Sequence, residues 1–430
     1  MKKFTIKTHG CKANQLESQV VKEKLEAAKF VYTNNVNEAE IFILNSCSVT
    51  ENADNEALRT IRNIKNKQPN ILTVLTGCSA QLNHENIKQL NYIDIILGND
   101  DKFNILDAIE QKINKITDIF KIEKFNNQFI HNYSNTRGYL KIQDGCDNYC
   151  SYCTIPYARG KSRSNTIKNI IEQINIYTEI NIKEVVLTGI HIGQWGSDLD
   201  KDLELMYLLE KIESTNIKRY RLGSLNPLEI SDKLLDFLSK SEKFCPHFHL
   251  SLQSLNNKTL TSMNRHYSAN SCLDLMDKIN STFNLPFIGS DIIVGFPDET
   301  EEDFEITLQN AMSSKLSAIH VFPYSIRKGT KAAEMKNQIP EKIKQYRAKT
   351  LQKTGSEKTK KFIENNIGKT TNVLIEKRLD KNTGMLKGVT PNYLNVLFEC
   401  DNTELHNEIV NIKITKLDEE KKSLIGEIIK

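Results

Sequence analysis

Apolar residues in the first quarter of the chain gather in short runs. Those over 4–8, 41–45, 72–76 and 93–97 predict buried strands. Between them the spacing turns helical: Leu16, Val20 or Val21, Leu25 and Ala28 share one face of a predicted helix over 14–28. Leu58, Ile61 and Ile64 do the same over 54–67. Short apolar strands separated by helices predict a parallel sheet with right-handed crossovers. Residues 126–136, with four Asn, read as a polar linker. A second strand–helix series follows. Its strands are predicted over 139–143, 184–187, 219–222, 247–252, 290–294 and 318–322, and its helices over 168–178, 203–214, 231–239, 270–282 and 301–314. Six such units make a partial barrel, with function expected at the strand carboxyl ends. After a helical stretch over 331–366 the period shortens to two, with strands over 371–375, 394–398, 409–414 and 423–428. That pattern suits a small barrel of the kind that binds oligonucleotides, and equally one used for oligomerisation. The expected fold class is α/β: an N-terminal parallel domain over 1–125, a linker over 126–136, a partial barrel with a helical extension over 137–355, and a small all-β barrel over 366–430.

Composition narrows the class without changing the architecture. The chain has 430 residues, 39% apolar and 26% charged, with no run of eighteen apolar residues. A soluble, cytoplasmic protein without a membrane partner is expected, and the N-terminus has no signal-peptide core. The net charge of +4 is too mild for a polyelectrolyte binder. However, 341–369 holds nine Lys/Arg against three Glu, so the remainder is slightly acidic and the basic charge is concentrated on one helix.

Nine cysteines in such a chain are thiols or metal ligands rather than disulfides. Cys146, Cys150 and Cys153 follow the first barrel strand with spacing Cys-x3-Cys-x2-Cys, which suits a soft metal: an iron–sulfur cluster, or zinc if a fourth ligand exists. His191 is too far downstream to be an evident fourth. Cys11, Cys47 and Cys78 each lie one to three residues beyond a predicted strand. In a parallel sheet those ends share one edge, so the three can converge on one site; three separate buried thiols are the alternative.

The chain resembles the radical S-adenosylmethionine (radical SAM) methylthiotransferases along nearly its whole length. The matching stretches are Thr8–Gln15, Asn45–Thr50, Thr76–Gln81 and Cys146–Ser164. The resemblance implies two 4Fe–4S clusters, one on Cys146, Cys150 and Cys153 and one on Cys11, Cys47 and Cys78, together with S-adenosylmethionine, and a C-terminal TRAM (OB-like) barrel. It implies sulfur insertion at an unactivated C–H, with an electron donor such as flavodoxin or ferredoxin, and tRNA rather than DNA as partner. Tyr152, Gly189, Gln253, Ser254 and Asp291 are candidate contacts to S-adenosylmethionine. Arg159, Arg163 and Arg327 are candidate cations for the modified base, and Lys358, Lys360 and Lys361 for tRNA phosphates. His191 is expected to be structural or substrate-facing, and Cys245, Cys272 and Cys400 to be ordinary thiols. The family's Gly-Phe-Pro-Gly-Glu-Thr has Asp298 at its second Gly, and Ser251 and Leu255 stand where Pro and Gly are usual. The stretches Gly10–Gln15, Leu187–Gly193 and His320–Ser325 are most similar to the branch acting on N6-threonylcarbamoyladenosine in tRNA. Branches acting on isopentenyladenosine or a ribosomal-protein aspartate, and a non-catalytic RNA-binding protein, are the alternatives.

Overall fold

The computed structural model describes residues 1–398, 403–418 and 423–429; Cys400 lies outside them. The N-terminal domain runs β1 (Lys3–Thr8), α1 (Lys12–Ala27), β2 (Val31–Tyr32), β3 (Ile41–Ser46), α2 (Glu51–Lys67), β4 (Leu72–Gly77), α3 (Cys78–Ile87), β5 (Ile95–Ile96) and α4 (Ile105–Gln111). All five strands are parallel, in the order β2-β1-β3-β4-β5. β3 is buried throughout because the strand period of two feeds two cores. Ile41 and Ile43 meet Val21, Leu25 and Ile105 of α1 and α4, while Phe42 and Leu44 meet Ala57, Ile61 and Ala80 of α2 and α3. The strand expected over 93–97 shortens to β5, since Asp94 turns its carboxylate to the Thr73 amide, 2.7 Å away, and to Lys65.

The expected linker is no free tether. Ile130 is buried and exchanges both backbone bonds with the Gln173 amide, and the His131 and Asn132 amides donate to Glu23 of α1.

The second region runs β6 (Arg137–Lys141), β7 (Gln143–Asp144), α5 (Ile155–Arg159), β8 (Arg163–Ser164), α6 (Ile167–Glu179), β9 (Glu184–Thr188), α7 (Leu205–Glu213), β10 (Arg219–Leu222), β11 (Ser224–Leu225), α8 (Asp232–Lys240), β12 (His247–Gln253), α9 (Asn257–Ser262), α10 (Ala269–Thr282), β13 (Phe287–Val294), α11 (Glu301–Ser313) and β14 (Ala318–Pro323). The third barrel strand breaks at Gly223, so β10 pairs with β9 and β11 with β12. Six consecutive parallel strands thus curve through two sheets, and the first and last, β6 and β14, do not pair. The N-terminal domain packs at this open side. Leu16 and Val20 of α1 join the barrel core with Leu140 and Tyr177, while Val21 and Leu25 face the N-terminal sheet. One helix serves two cores, which is why both valines are buried.

After α12 (Lys331–Glu334), α13 (Glu341–Asn366) runs unbroken from the large barrel to the small one, so no break falls between 355 and 366. β15 (Thr370–Ile375), β16 (Leu386–Val389), β17 (Asn395–Phe398), β18 (Ile409–Asp418) and β19 (Ser423–Ile428) close a barrel in the order β15-β16-β17-β19-β18. Its 389–394 turn seals the end of the large barrel where the strands begin. Glu184 receives Arg219 at 2.6 Å and Arg221 at 2.7 Å, and the same guanidiniums donate to the Val389 and Thr390 carbonyls. Burial would raise the Glu184 pKa, but these two cations bring it down to about 2. No helix among the described residues is long and apolar enough to cross a membrane.

Candidate functional site

β1, β3 and β4 are adjacent and parallel, so Cys11, Cys47 and Cys78 follow strands that end on one edge. Glycines make this convergence possible. Gly10 has φ +98°, and a Cβ there would lie 2.7 Å from the Cys47 Cβ; Gly77 has φ +97°, and its Cβ would meet the Ser46 carbonyl at 2.3 Å. Burial and then Cys78 push Cys47 up to about 11, and burial raises Cys11 as well. Asn99 donates to the Cys78 sulfur at 3.5 Å.

Beside this triad lies a buried ionic cluster. Glu17 binds Lys102 at 2.6 Å, Lys141 at 2.9 Å and Arg159 at 2.9 Å, and Asp144 binds Lys141 and Arg159. Three cations face two carboxylates, and the Arg159 Nε has no hydrogen-bond partner among the described residues. A net positive charge next to three thiols suits an anionic thiolate cluster. The donor set, three soft thiols, fits an iron–sulfur cluster.

Cys146, Cys150 and Cys153 occupy the loop between β7 and α5, at the carboxyl end of the first barrel strand. Burial is the main reason that Cys153 rises to about 12. Arg265 donates to the Cys150 sulfur at 3.3 Å and is held by the Ser251 carbonyl and the Tyr267 hydroxyl. His191, expected to be structural or substrate-facing, sits between the Cys146 sulfur, 4.0 Å away, and the Glu229 carboxylate. Burial alone would lower its pKa, but hydrogen bonds to Cys146 and Glu229 outweigh that and lift it to about 9. The loops that carry the two triads touch: the Thr154 hydroxyl, next to Cys153, donates to the Ser48 carbonyl, next to Cys47, at 3.4 Å.

The candidate S-adenosylmethionine contacts divide. Tyr152 packs edge-on to Phe296, 6.3 Å between ring centres, in a small apolar cluster with Met263 and Tyr324. Gln253, with φ +64°, and Asp291 lie on the partly exposed rows of β12 and β13, and Asp291 approaches His249 at 3.3 Å. Ser254 is buried, its hydroxyl accepting from the Asn256 amide and lying 3.4 Å from Thr307. A Cβ on Gly189 would lie 2.7 Å from the Gln143 carbonyl, so the protein's own packing accounts for that glycine. Asp298 adopts φ +64° where the family pattern has Gly, and the Asn337 amide holds it at 2.5 Å, so the loop keeps its turn.

The three arginines expected to meet the modified base are all committed inside the protein. Arg159 belongs to the ionic cluster. Arg163 donates to the Arg159 and Lys161 carbonyls. Arg327 reaches from beyond β14 to Ser48 at 2.7 Å and Asp54 at 2.5 Å, latching the barrel to α2. Arginine is equally suited to carboxylates of the protein, and burial selected those. Of the lysines, Lys358 donates to the Ser314 carbonyl, whereas Lys360 and Lys361 are exposed, as are Lys349 and Lys353. Cys245 and Cys272 are buried thiols away from both triads. Arg265, Asn99 and the partners of Arg159 escaped sequence reasoning. Only Glu17 left a trace, as a carboxylate on the inward face of α1.

Lys349, Lys353 and Lys360 fall on one face of α13, spaced four and seven residues apart. Reversing all three to Glu is expected to weaken tRNA binding and to flatten the dependence of log K on log salt by about two to three units of slope. Fluorescence anisotropy over a salt series measures this, and an unchanged slope would show that face to be solvated only.

The N-terminal region matches the uncharacterized protein family UPF0004 over residues 3–98, and the barrel matches the radical SAM superfamily over 140–311. The chain is 34% identical to threonylcarbamoyladenosine tRNA methylthiotransferase MtaB of Aquifex aeolicus, over 92% of this chain and 96% of that one. It is 33% identical to tRNA-2-methylthio-N(6)-dimethylallyladenosine synthase of Clostridium botulinum, over 96% and 94%. In fold it is similar to the radical S-adenosylmethionine methyltransferase TsrM of Kitasatospora setae, with a TM-score of 0.56 over 77% of each chain at 11% identity. A partial parallel barrel carrying Cys-x3-Cys-x2-Cys after its first strand defines a radical SAM enzyme. Within that class, the end-to-end similarity is decisive: the chain belongs to the tRNA methylthiotransferase family. It acts on tRNA with S-adenosylmethionine and a 4Fe–4S cluster, and the second cysteine triad fits the second cluster of such enzymes.

Proposed function

We propose that this chain converts N6-threonylcarbamoyladenosine, 3′ of the anticodon, to its 2-methylthio derivative. The observation that carries the reaction is the Thr154–Ser48 contact, which joins the loops that carry the two triads of thiols. Cys146, Cys150 and Cys153 would hold one cluster and Cys11, Cys47 and Cys78 the other. When bound, these groups and S-adenosylmethionine supply hydrogen abstraction and sulfur, which no side-chain acid or base could provide at an aryl C–H. The chain's own residues set the geometry. Gly10 and Gly77 let the loops close, Arg265 and Asn99 donate to thiolate sulfurs and so tune them, and Tyr152, Phe296 and Tyr324 keep water from the barrel mouth. Residues 1–125 would serve as the sulfur-bearing domain, the large barrel as the radical domain, and α13 with the small barrel as the tRNA grip. A low-potential donor of flavodoxin or ferredoxin type would deliver the electron, in the cytoplasm.

The branch is supported by Gly10–Gln15, Leu187–Gly193 and His320–Ser325, and by the Aquifex aeolicus and Bacillus subtilis relatives named for threonylcarbamoyladenosine. Threonylcarbamoyl carries a carboxylate and a hydroxyl where isopentenyl is apolar. A site built for the former loses about 1–3 kcal/mol per buried polar group left without its partner. Nucleoside mass spectrometry of matched tRNAs bearing threonylcarbamoyl, isopentenyl or unmodified adenosine is expected to show product from the first alone. Comparable turnover on the isopentenyl tRNA would overturn the branch and spare the reaction.

A further inference from the structure

Single exposed aromatic side chains are ordinary on a protein surface, but a contiguous row of them is not. One such row lies beside the Cys146, Cys150 and Cys153 triad. Phe120, Tyr149 and Tyr157 are 42%, 40% and 43% exposed. The ring centres lie 6.3 Å apart from Phe120 to Tyr157 and 6.1 Å apart from Tyr157 to Tyr149, and both contacts are edge-to-face. Such a contact takes up at most one ring face, so the row keeps flat apolar faces for another group.

The rings come from three parts of the chain, and each is held in place. Tyr149 stands in the loop between Cys146 and Cys150, where its carbonyl accepts from the Asn264 side chain at 3.3 Å. Tyr157 projects from α5. Phe120 belongs to a single helical turn over 119–121, and its amide donates to the Asp118 carboxylate at 3.1 Å. Gly160 lets that turn approach α5: it has φ +76°, and a Cβ there would lie 2.6 Å from the Ile119 carbonyl. Ile119 is buried, and Arg163 donates to the Ile122 carbonyl at 3.4 Å. Tyr149 itself has φ +45°, a left-handed conformation that bulky residues avoid, and its exposed ring gains little burial in return. Glycine or asparagine would sit there with less strain, so stability does not explain the ring.

We propose that Phe120, Tyr157 and Tyr149 form a platform on which unpaired anticodon-loop bases next to the target adenosine stack as it enters the site. This rests on the position 3′ of the anticodon proposed above, and on neither branch. Unpaired RNA is recognised largely by bases stacked on aromatic side chains, and every base has a flat face to offer. An adenosine that reaches the thiol loop must leave its own stack, so a neighbouring base loses a partner that a ring can replace. The row is continuous with the site, because the loop that carries Tyr149 also carries Cys146 and Cys150. The exposed charges next to these rings in sequence are balanced: Lys121, Lys124 and Lys161 against Asp118, Glu123 and Asp147. A balanced patch does not steer a charged protein partner, whereas stacking needs no net charge.

The test uses iron-loaded enzyme and an anticodon stem-loop with 2-aminopurine beside the target adenosine, which is left unmodified so that the branch does not enter. Tyr157→Leu keeps an apolar side chain without a π face and is expected to weaken binding about tenfold, while Tyr157→Phe stays within about twofold of wild type. Adding Phe120→Leu should bring the loss to about thirtyfold or more. The 2-aminopurine fluorescence that stacking quenches should recover in the leucine variants. The slope of log K against log salt should stay as in wild type, in contrast to charge reversal on α13. Phe120→Leu alone, in a turn remote in sequence from every thiol, carries the test if Tyr157→Leu loses iron. Wild-type affinity and quenching in both leucine variants would overturn the platform. So would an equal loss of affinity for a blunt duplex without the loop. Unchanged RNA binding with slowed S-adenosylmethionine cleavage, seen only when reduced flavodoxin replaces dithionite, would overturn it too and give the row to the electron donor. A methylthio group mapped outside the anticodon loop would instead sink the functional reading above, and the platform's occupant with it.

Discussion

Replacing Cys11, Cys47 and Cys78 together by Ala is expected to reduce the iron of anaerobically prepared protein from about eight to about four per chain, since each thiol triad holds one cubane. Methylthiolated product should vanish, while reductive cleavage of S-adenosylmethionine persists. The split follows from the fold. These three residues sit on β1, β3 and β4 or just beyond them, in a domain with its own two cores, while Cys146, Cys150 and Cys153 stand on the barrel. The two meet through α1 in the barrel core, through Glu17 with Arg159 and Lys141, and through links such as Thr154 with Ser48 and Arg327 with Asp54, but each triad is carried by its own domain. Full iron content in the triple variant would refute the second site. Loss of all iron, with intact folding by circular dichroism, would show the two sites to be interdependent.

Arg159→Met should be the most damaging single substitution outside the cysteines. Arg159 is 1% exposed and bridges Glu17 of α1, Asp144 of β7 and the Asn14 side chain. Removing one partner of a buried ionic network leaves charge uncompensated and costs about 3–5 kcal/mol. The pH dependence has a definite sign. Burial would raise the Glu17 and Asp144 pKa values, but Arg159 with Lys102 and Lys141 holds Glu17, and Arg159 with Lys141 holds Asp144, well below the ordinary range. Their stabilisation is therefore complete above the unfolded-state values and is lost only as pH falls through the depressed folded ones. In the variant the folded values come up, so more protons are bound and the deficit against wild type should shrink as pH drops toward 5. Urea melts at pH 5 and pH 8 measure it. A normal melt with a raised KM for tRNA would return Arg159 to the substrate, as the candidate cation for the modified base.

Much of the candidate site was legible because its signals are local. A short strand, a glycine and a cysteine sit within one short segment at Cys78, and nearly so at Cys11. Parallel topology then brings such ends to one edge whatever the rest of the chain does. The Asp298 turn shows the limit of such motif reading. The motif lacked its glycine, yet the structure keeps the left-handed turn with a bond from Asn337, thirty-nine residues away.

The periods of two and 3.6 along the chain therefore determined most of the strands and helices, their order and the strand-end placement of six thiols, but not short strands such as β2 and β16. Each depends on residues a few positions apart. The destination of the charged side chains was decided only in three dimensions. Glu17 and Arg159 are separated by 142 positions and Arg327 and Asp54 by 273, and nothing local marks them as partners. An arginine looks the same in sequence whether it meets substrate, solvent or a buried carboxylate. What distinguishes these fates is desolvation, and desolvation exists only once α1 has packed against two cores and the 389–394 turn has sealed the barrel. That packing occupied Arg159, Arg163 and Arg327.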